Sequence, residues 1–403
     1  MTAPATTGVL EHRAENGSWA WAGLRVAPAR ALHAHRGYGD VPEEQRRAQA
    51  VGAELAWLAG LCRPGAASRF ELRCTNEPAT GLLRCVLLGQ TVSGAPADAP
   101  AAALELRHRL GQLPPHVVGR EILDPEQLRA ELLGVGEPAD RVELVELRKR
   151  LTAHPLGRTD TDRSHAVLGA ALAGPGADWE PFWARLAARP VRTLLSVALE
   201  PVLLHPAELA ELDGYAREYR RLATPGQTAG VWRLTRPGDP AAQAAAEQLT
   251  AVLRAAAQPG YRLRVTLASE PAGEAAGTAM GGPGSGLVEL AHLLAGLVGG
   301  PGAALAVLPV PPADRAAALA NLTGLNLAPL PLSYPQGLPP GHYGWVEETL
   351  SGLGTVGEAA ALLRLPYQVL SHRPLFDDRF LAAPPADAPP AAAPPPATDV
   401  PQF

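Results

Sequence analysis

The chain has 403 residues, 47% of them hydrophobic, enough for two ordinary domains with real cores. Its net charge is −5, so bulk charge gives no support to nucleic-acid binding. Three cysteines are too few for a disulfide framework and fit a reducing cytoplasm, and the longest apolar run, 286–300, contains Glu289 and His292 and falls short of the ~20 residues of a bilayer span. No charged-then-apolar leader opens the chain, so a cytoplasmic protein is expected, and Lys149 as the sole lysine suits a high-GC bacterial genome.

Residues 1–16 are expected to be a loose leader, followed by an edge strand over 19–27. Pro42, Glu43 and Glu44 suit a helix start, and Val51, Leu55, Leu58 and Cys62 mark one apolar face. A β-hairpin is predicted from 70–75 and 82–92, with Cys74 and Cys85 symmetric about its turn. Helices follow near 104–113 and 124–133, around a strand at 117–123. The alternation over 141–151 predicts a strand, as does 165–172. Gly174, Pro175 and Gly176 mark the domain boundary. Beyond it come a helix at 179–188, a strand buried on both faces at 193–199, and a helix from Pro206 with Leu209, Leu212, Ala216 and Tyr219 on its apolar face. A short strand at 231–234, a helix at 240–257, a strand at 261–268, a helix at 287–298, a strand at 304–310 and a final helix at 356–365 complete the pattern. Residues 382–403 are nearly all Ala and Pro and are expected to be disordered.

A unit of helix, Pro, apolar strand and Glu-Pro occurs three times, with its pairs at Glu77-Pro78, Glu200-Pro201 and Glu270-Pro271. Together with the hairpins it predicts an α+β fold of two related αβ domains, 17–173 and 177–381, with mixed sheets and packed helices. The plainest reading of the three glutamates is exposed strand ends where Pro stops pairing.

No residue stands out as catalytic, cofactor-binding or metal-ligating. The Gly281–Gly286 loop precedes a helix but lacks the lysine of a phosphate-binding loop. His33 and His35 would share one side of a strand, yet no further ligand follows at useful spacing. Ser196 and Ser285 lack the flanks of an activated nucleophile. Arg129, Arg141, Arg148, Lys149 and Arg150 interleave with glutamates and read as a solvated, salt-bridged face. Trp179 and Trp183 lie four apart on one helix face and suit packing or an interface anchor.

Three stretches in order, FELRC with LLRCVLLG (70–89), PVRTLLSVALEPVLLHPAELAEL (190–212) and VGEAAALLRLPYQVL (356–370), resemble the non-catalytic N-terminal region of HerA/FtsK-like DNA-pumping and conjugative-transfer ATPases. In that family a helix closing on a Leu-Pro pair, here Leu365 and Pro366, precedes the P-loop motor. No motor sequence follows Pro366. The resemblance therefore implies a non-enzymatic scaffold or adaptor, the stand-alone head piece of such an assembly. Its partner would be a separately encoded P-loop ATPase or further copies of itself. The alternatives are a small-ligand binding module at the strand ends before Gly281–Gly286, and an enzyme using scattered residues such as His33, His35 and Glu200. Trp179, Trp183, Leu365 and Pro366 are the candidate interaction residues, and no cofactor is expected.

Overall fold

The computed structural model describes residues 8–14, 17–95, 98–135, 141–158, 160–227, 235–271, 285–299, 304–328, 330, 344–369 and 373–382. In chain order its elements begin with β1 (Val9–Ala14), β2 (Gly17–Pro28), α1 (Glu43–Leu61), β3 (Ser68–Glu77), β4 (Leu82–Ser93) and α2 (Asp98–Leu110). Then come β5 (Val117–Glu121), α3 (Pro125–Leu133), β6 (Glu143–Lys149), β7 (Leu151–Pro155), β8 (His165–Gly169), α4 (Glu180–Ala187) and β9 (Thr193–Val202). They continue with α5 (Pro206–Ala223), β10 (Gly226–Gln227), β11 (Thr235–Arg236), α6 (Pro240–Ala256), β12 (Gly260–Ser269) and α7 (Ser285–Gly299). The last are β13 (Leu305–Pro309), α8 (Arg315–Thr323), α9 (Trp345–Gly352), β14 (Leu353–Gly354), α10 (Val356–Leu362) and α11 (Arg379–Ala382).

The fold is α+β. One sheet runs β1-β2-β4-β3-β9-β12-β6-β13, with β5 added to β2 and β14 to β12. Its ladders are antiparallel throughout. The expected boundary at Gly174–Gly176 is not a seam in this sheet. β3 pairs with β9 across it, and β6, from the first half, lies between β12 and β13. The segments 17–173 and 177–381 are thus interleaved rather than stacked. The three repeated strands have a simple fate: β3, β9 and β12 are neighbours at the centre of the sheet.

Period-two alternation divides the side chains of these strands between two faces. On one face Phe70, Leu72 and Cys74 of β3 oppose Leu199, Val197 and Leu195 of β9, which oppose Leu263, Val265 and Leu267 of β12. Buried residues of α1, α2, α4, α7 and α10 complete this core. The other face is divided. One apolar cluster joins Val86 and Leu88 of β4 to Leu128 and Leu132 of α3, and another joins Leu144, Leu194, Ala268 and Leu308 to α5, α6, α8 and α9. Between the two clusters lies a band of charge.

Several expectations change. Val9–Ala14 is a strand, so the leader is partly ordered, and β2 is an inner strand held between β1 and β4. On α1 Leu58 is buried and Leu55 and Cys62 pack partly buried against the core, as the spacing predicts, and the buried stripe widens to take in Ala50, Glu54, Trp57 and Leu61. Glu200-Pro201 lies inside β9 rather than at its end. Pro201 lies where β9 keeps the β12 ladder but the β3 ladder has already stopped at Leu199, a position at the margin of pairing that suits proline. Arg148 and Lys149 are not a solvated face: Lys149 is buried against Glu358 at 2.7 Å, and Arg148 grips Glu146 at 2.6 Å. The predicted strand 231–234, Gly281–Gly284 and the tail from 383 lie outside the described residues. Among those described, no helix is long and apolar enough to cross a membrane.

Candidate functional site: a charged cavity on the sheet

The charged band arises because β3, β9, β12 and β6 each place polar side chains at alternate positions of otherwise apolar strands. β3 contributes Arg69, Glu71 and Arg73, β9 contributes Ser196 and Glu200, β12 contributes Arg262 and Arg264, and β6 contributes Glu146 and Arg148. All of them share the face that carries the two smaller apolar clusters.

Its deepest part is an Arg–Glu–Arg triad. Glu71, fully buried, accepts from Arg73 Nε at 2.5 Å, Ser196 Oγ at 2.7 Å and Arg264 Nη2 at 2.8 Å. A buried carboxylate is stable only with such donors, and charge-assisted bonds are the strong ones. The two guanidiniums also collect backbone carbonyls. Arg73 donates to Glu131 O at 2.6 Å and Leu132 O at 2.7 Å, at the end of α3, and to Leu322 O at 2.5 Å, at the end of α8. Arg264 donates to Asn321 O at 2.5 Å and also to Asn326 O. Helix C-termini carry partial negative charge and leave carbonyls without partners, so these cations satisfy both needs. Burial lowers the Arg264 pKa, and the Glu71 charge opposes that shift.

The end of α8 turns the chain over the band. Leu325 takes φ +53°, the left-handed conformation usual for glycine after a helix. Its N–H bonds Leu322 O at 3.4 Å and that of Asn326 bonds Asn321 O at 2.8 Å. A leucine pays a steric cost there, offset because its side chain is wholly buried beside Leu88 and Leu128. The turn delivers Asn326, whose Oδ1 accepts from Arg69 Nη1 at 2.9 Å.

Towards solvent the band opens into a cavity of about 350 Å³. Its floor is Arg69, Glu200, Arg262, Arg264, Glu146 and Arg148, and its walls are the 326–328 segment and α9 with Trp345 and Glu348. Glu200 bridges two arginines from neighbouring strands, Arg69 Nε at 3.0 Å and Arg262 Nη1 at 3.8 Å. Arg262 is the most open of these, with 49% of its side chain exposed.

A second buried polar cluster fastens the C-terminal segment to α1. Tyr38 Oη meets His116 Nδ1 at 2.5 Å, and His116 Nε2 meets Glu54 Oε1 at 3.1 Å. Because a carboxylate only accepts, Nε2 carries the proton and Tyr38 donates to Nδ1 when the ring is neutral. Glu54 Oε2 also accepts from Leu365 N at 3.2 Å and lies 3.2 Å from Arg364 Nη1.

Of the residues singled out in the sequence, Glu200 and Arg148 lie in the cavity, Arg148 having been read as part of a solvated face. His33 is exposed in a turn before α1, and His35 packs edge-on to Tyr38, so the proposed His33, His35 and Glu200 grouping does not form. Among the described residues, no group of three or more His, Cys, Asp or Glu could hold a metal ion. Trp179 and Trp183 are buried, with Trp183 packed on Tyr367 and Phe376, and Leu365 and Pro366 are buried as well. None of the four is an exposed anchor, because the chain's own C-terminal segment packs onto this region. Cys74 and Cys85 do face each other across the hairpin, as free thiols with sulfurs 3.1 Å apart. The residues missed were Arg69, Glu71, Arg73, Arg262, Arg264 and Glu146. Their signal was charge at alternate positions in strands too apolar to be edges. Compared with known proteins, the chain matches no family model and no curated protein.

Proposed function

We propose that the chain is a non-catalytic binding module, an adaptor that recognises a charged group at the sheet cavity. The observation that carries this reading is the lining, four arginines and three glutamates on one cavity of the central strands. Arginine does not deprotonate at working pH, so this floor offers fixed charge and geometry, which serve recognition better than proton transfer. Groups on paired strands are also held more precisely than groups on loops.

The place of this module in a translocase assembly, with a separately encoded P-loop ATPase or with further copies of itself, is the wider form of the same proposal. Its support is the family-like order of segments 70–89, 190–212 and 356–370. A cytoplasmic location belongs to it too, supported by three free cysteines, two of them buried.

The test is a thermal-shift panel of monoanionic, dianionic, cationic and neutral small molecules on the purified chain. At least one charged class should raise Tm, and Arg262→Ala should remove the shift. A flat panel would overturn the binding reading. The chain should neither bind nor hydrolyse ATP, and turnover abolished by substituting a cavity residue would overturn its non-catalytic part.

A further inference from the structure

We infer that the cavity takes a small monocarboxylate with an apolar body; this rests on the binding-module reading and names the class of ligand. The first argument is charge. Along the row Arg69–Glu200–Arg262, one carboxylate serves two guanidiniums, at 3.0 and 3.8 Å. Over the whole lining, arginines outnumber glutamates by four to three. A ligand with one negative charge brings the lining to neutrality. A dianion would leave excess negative charge beside Glu146, Glu200 and Glu348, and a half-buried site discriminates against such an excess.

The second argument is the form of the open donor. The Arg262 guanidinium has one ion pair among the described residues, the long contact to Glu200, and nearly half of its side chain faces solvent. A guanidinium fork matches the two oxygens of a carboxylate with parallel N–H bonds. Arg69 cannot swing to compete, because Glu200 and Asn326 both hold it.

The third argument is the rest of the wall. Leu204, Leu327, Trp345 and Leu353 supply apolar surface above the charged floor. The volume of about 350 Å³ lies at the lower end of the range for small-molecule pockets, ~300–1,000 Å³. A ligand with an aromatic or branched aliphatic body would place its carboxylate on Arg262 and its body against Trp345.

Four probes of matched body test this by calorimetric titration of the full chain: phenylacetate, phenylphosphonate, phenethylamine and phenylacetamide, at mildly alkaline pH where the phosphonate is dianionic. Phenylacetate should bind most tightly, and Arg262→Gln should weaken it at least about tenfold without changing the melting temperature of the free protein. Its affinity should stay flat from neutral to mildly alkaline pH, since neither arginine nor a carboxylate titrates there. Stronger binding of phenylphosphonate or phenethylamine would overturn the monocarboxylate assignment and leave the binding reading standing. Binding of none of the four would also overturn the assignment, and the wider thermal-shift panel would then decide the binding reading separately. Phenylacetate binding unchanged in Arg262→Gln would overturn the location of the site.

Discussion

Replacing Glu71 by Gln removes one charge and leaves the shape of the side chain almost unchanged. In the native protein Glu71 is fully buried and neutralises Arg73 and Arg264, whose side chains are 2% and 7% exposed. The amide would present a donor towards one guanidinium and take from both buried cations the carboxylate they share. Breaking a buried pair from one side costs about 3–5 kcal/mol. Against a total stability of about 5–15 kcal/mol, the Glu71→Gln protein should unfold at much lower urea concentration, with the slope of the transition unchanged. A second variant separates two accounts of the triad. Removing a whole buried ionic group in favour of apolar residues is often neutral, or stabilising by about 1–4 kcal/mol. Here Glu71→Leu, Arg73→Met and Arg264→Met together would also strip the arginine donors from the carbonyls of Glu131, Leu132 and Asn326, while Leu322 O and Asn321 O keep the backbone N–H groups of Leu325 and Asn326. Each unsatisfied buried acceptor costs about 1–3 kcal/mol. The triple variant should therefore stay less stable than the parent. A Glu71→Gln loss under about 1 kcal/mol would refute the ionic account, and a triple variant as stable as the parent would refute the carbonyl account.

Three further outcomes are expected. Leu325→Gly relieves the left-handed strain but empties a wholly buried site, so chemical denaturation should show a net loss of about 1–3 kcal/mol; a gain would mean the strain outweighs the packing. Burial, with Glu54 adding, pushes the Tyr38 phenol up to about 12, so its share of stability is intact below the unfolded value of about 10 and is lost as pH rises towards 12. Denaturation curves across that window should converge between the parent and Tyr38→Phe, and a constant gap would count against the burial of the phenol as the source of its raised pKa. Cys62 is half-buried whereas Cys74 and Cys85 are buried, so a thiol reagent should modify Cys62 first in the native state and the other two only on unfolding. Early loss of Cys74 or Cys85 would show that the hairpin opens locally.

The elements were readable where periodicity and punctuation agreed. The hairpin of β3 and β4, the buried strand β9 and the Pro-led helices α3, α5 and α6 lie close to where their patterns predict. What pattern could not carry was the partner of each strand. Nothing local to residues 70–74 says that their neighbour is 195–199 rather than a strand of their own half, and the apparent boundary at Gly174–Gly176 concealed that pairing. The site was hidden for the same reason. Arg148 looked solvated within a run of mixed charge, although strand alternation turns Arg148 and Lys149 to opposite faces. Glu71 sat in view within a repeated motif, but its meaning depends on Arg264, which only the folded sheet brings to it.

That dependence bears on how the chain reaches its native state. In a β3–β4 hairpin formed without β9, β3 is an outer strand with a row of unused backbone groups. Such an edge invites pairing with the wrong chain, and charged side chains on it are a known safeguard. Arg69, Glu71 and Arg73 stand on that provisional edge. A mispaired strand without a matching Ser196 and Arg264 would bury Glu71 with no adequate donor, at prohibitive cost. The contacts that satisfy Glu71 lie far off in sequence, 125 residues away at Ser196 and 193 at Arg264, and such non-local pairing is the kind that slows folding. The charges that shape the finished cavity thus also guard the nascent sheet until its proper neighbours have been made.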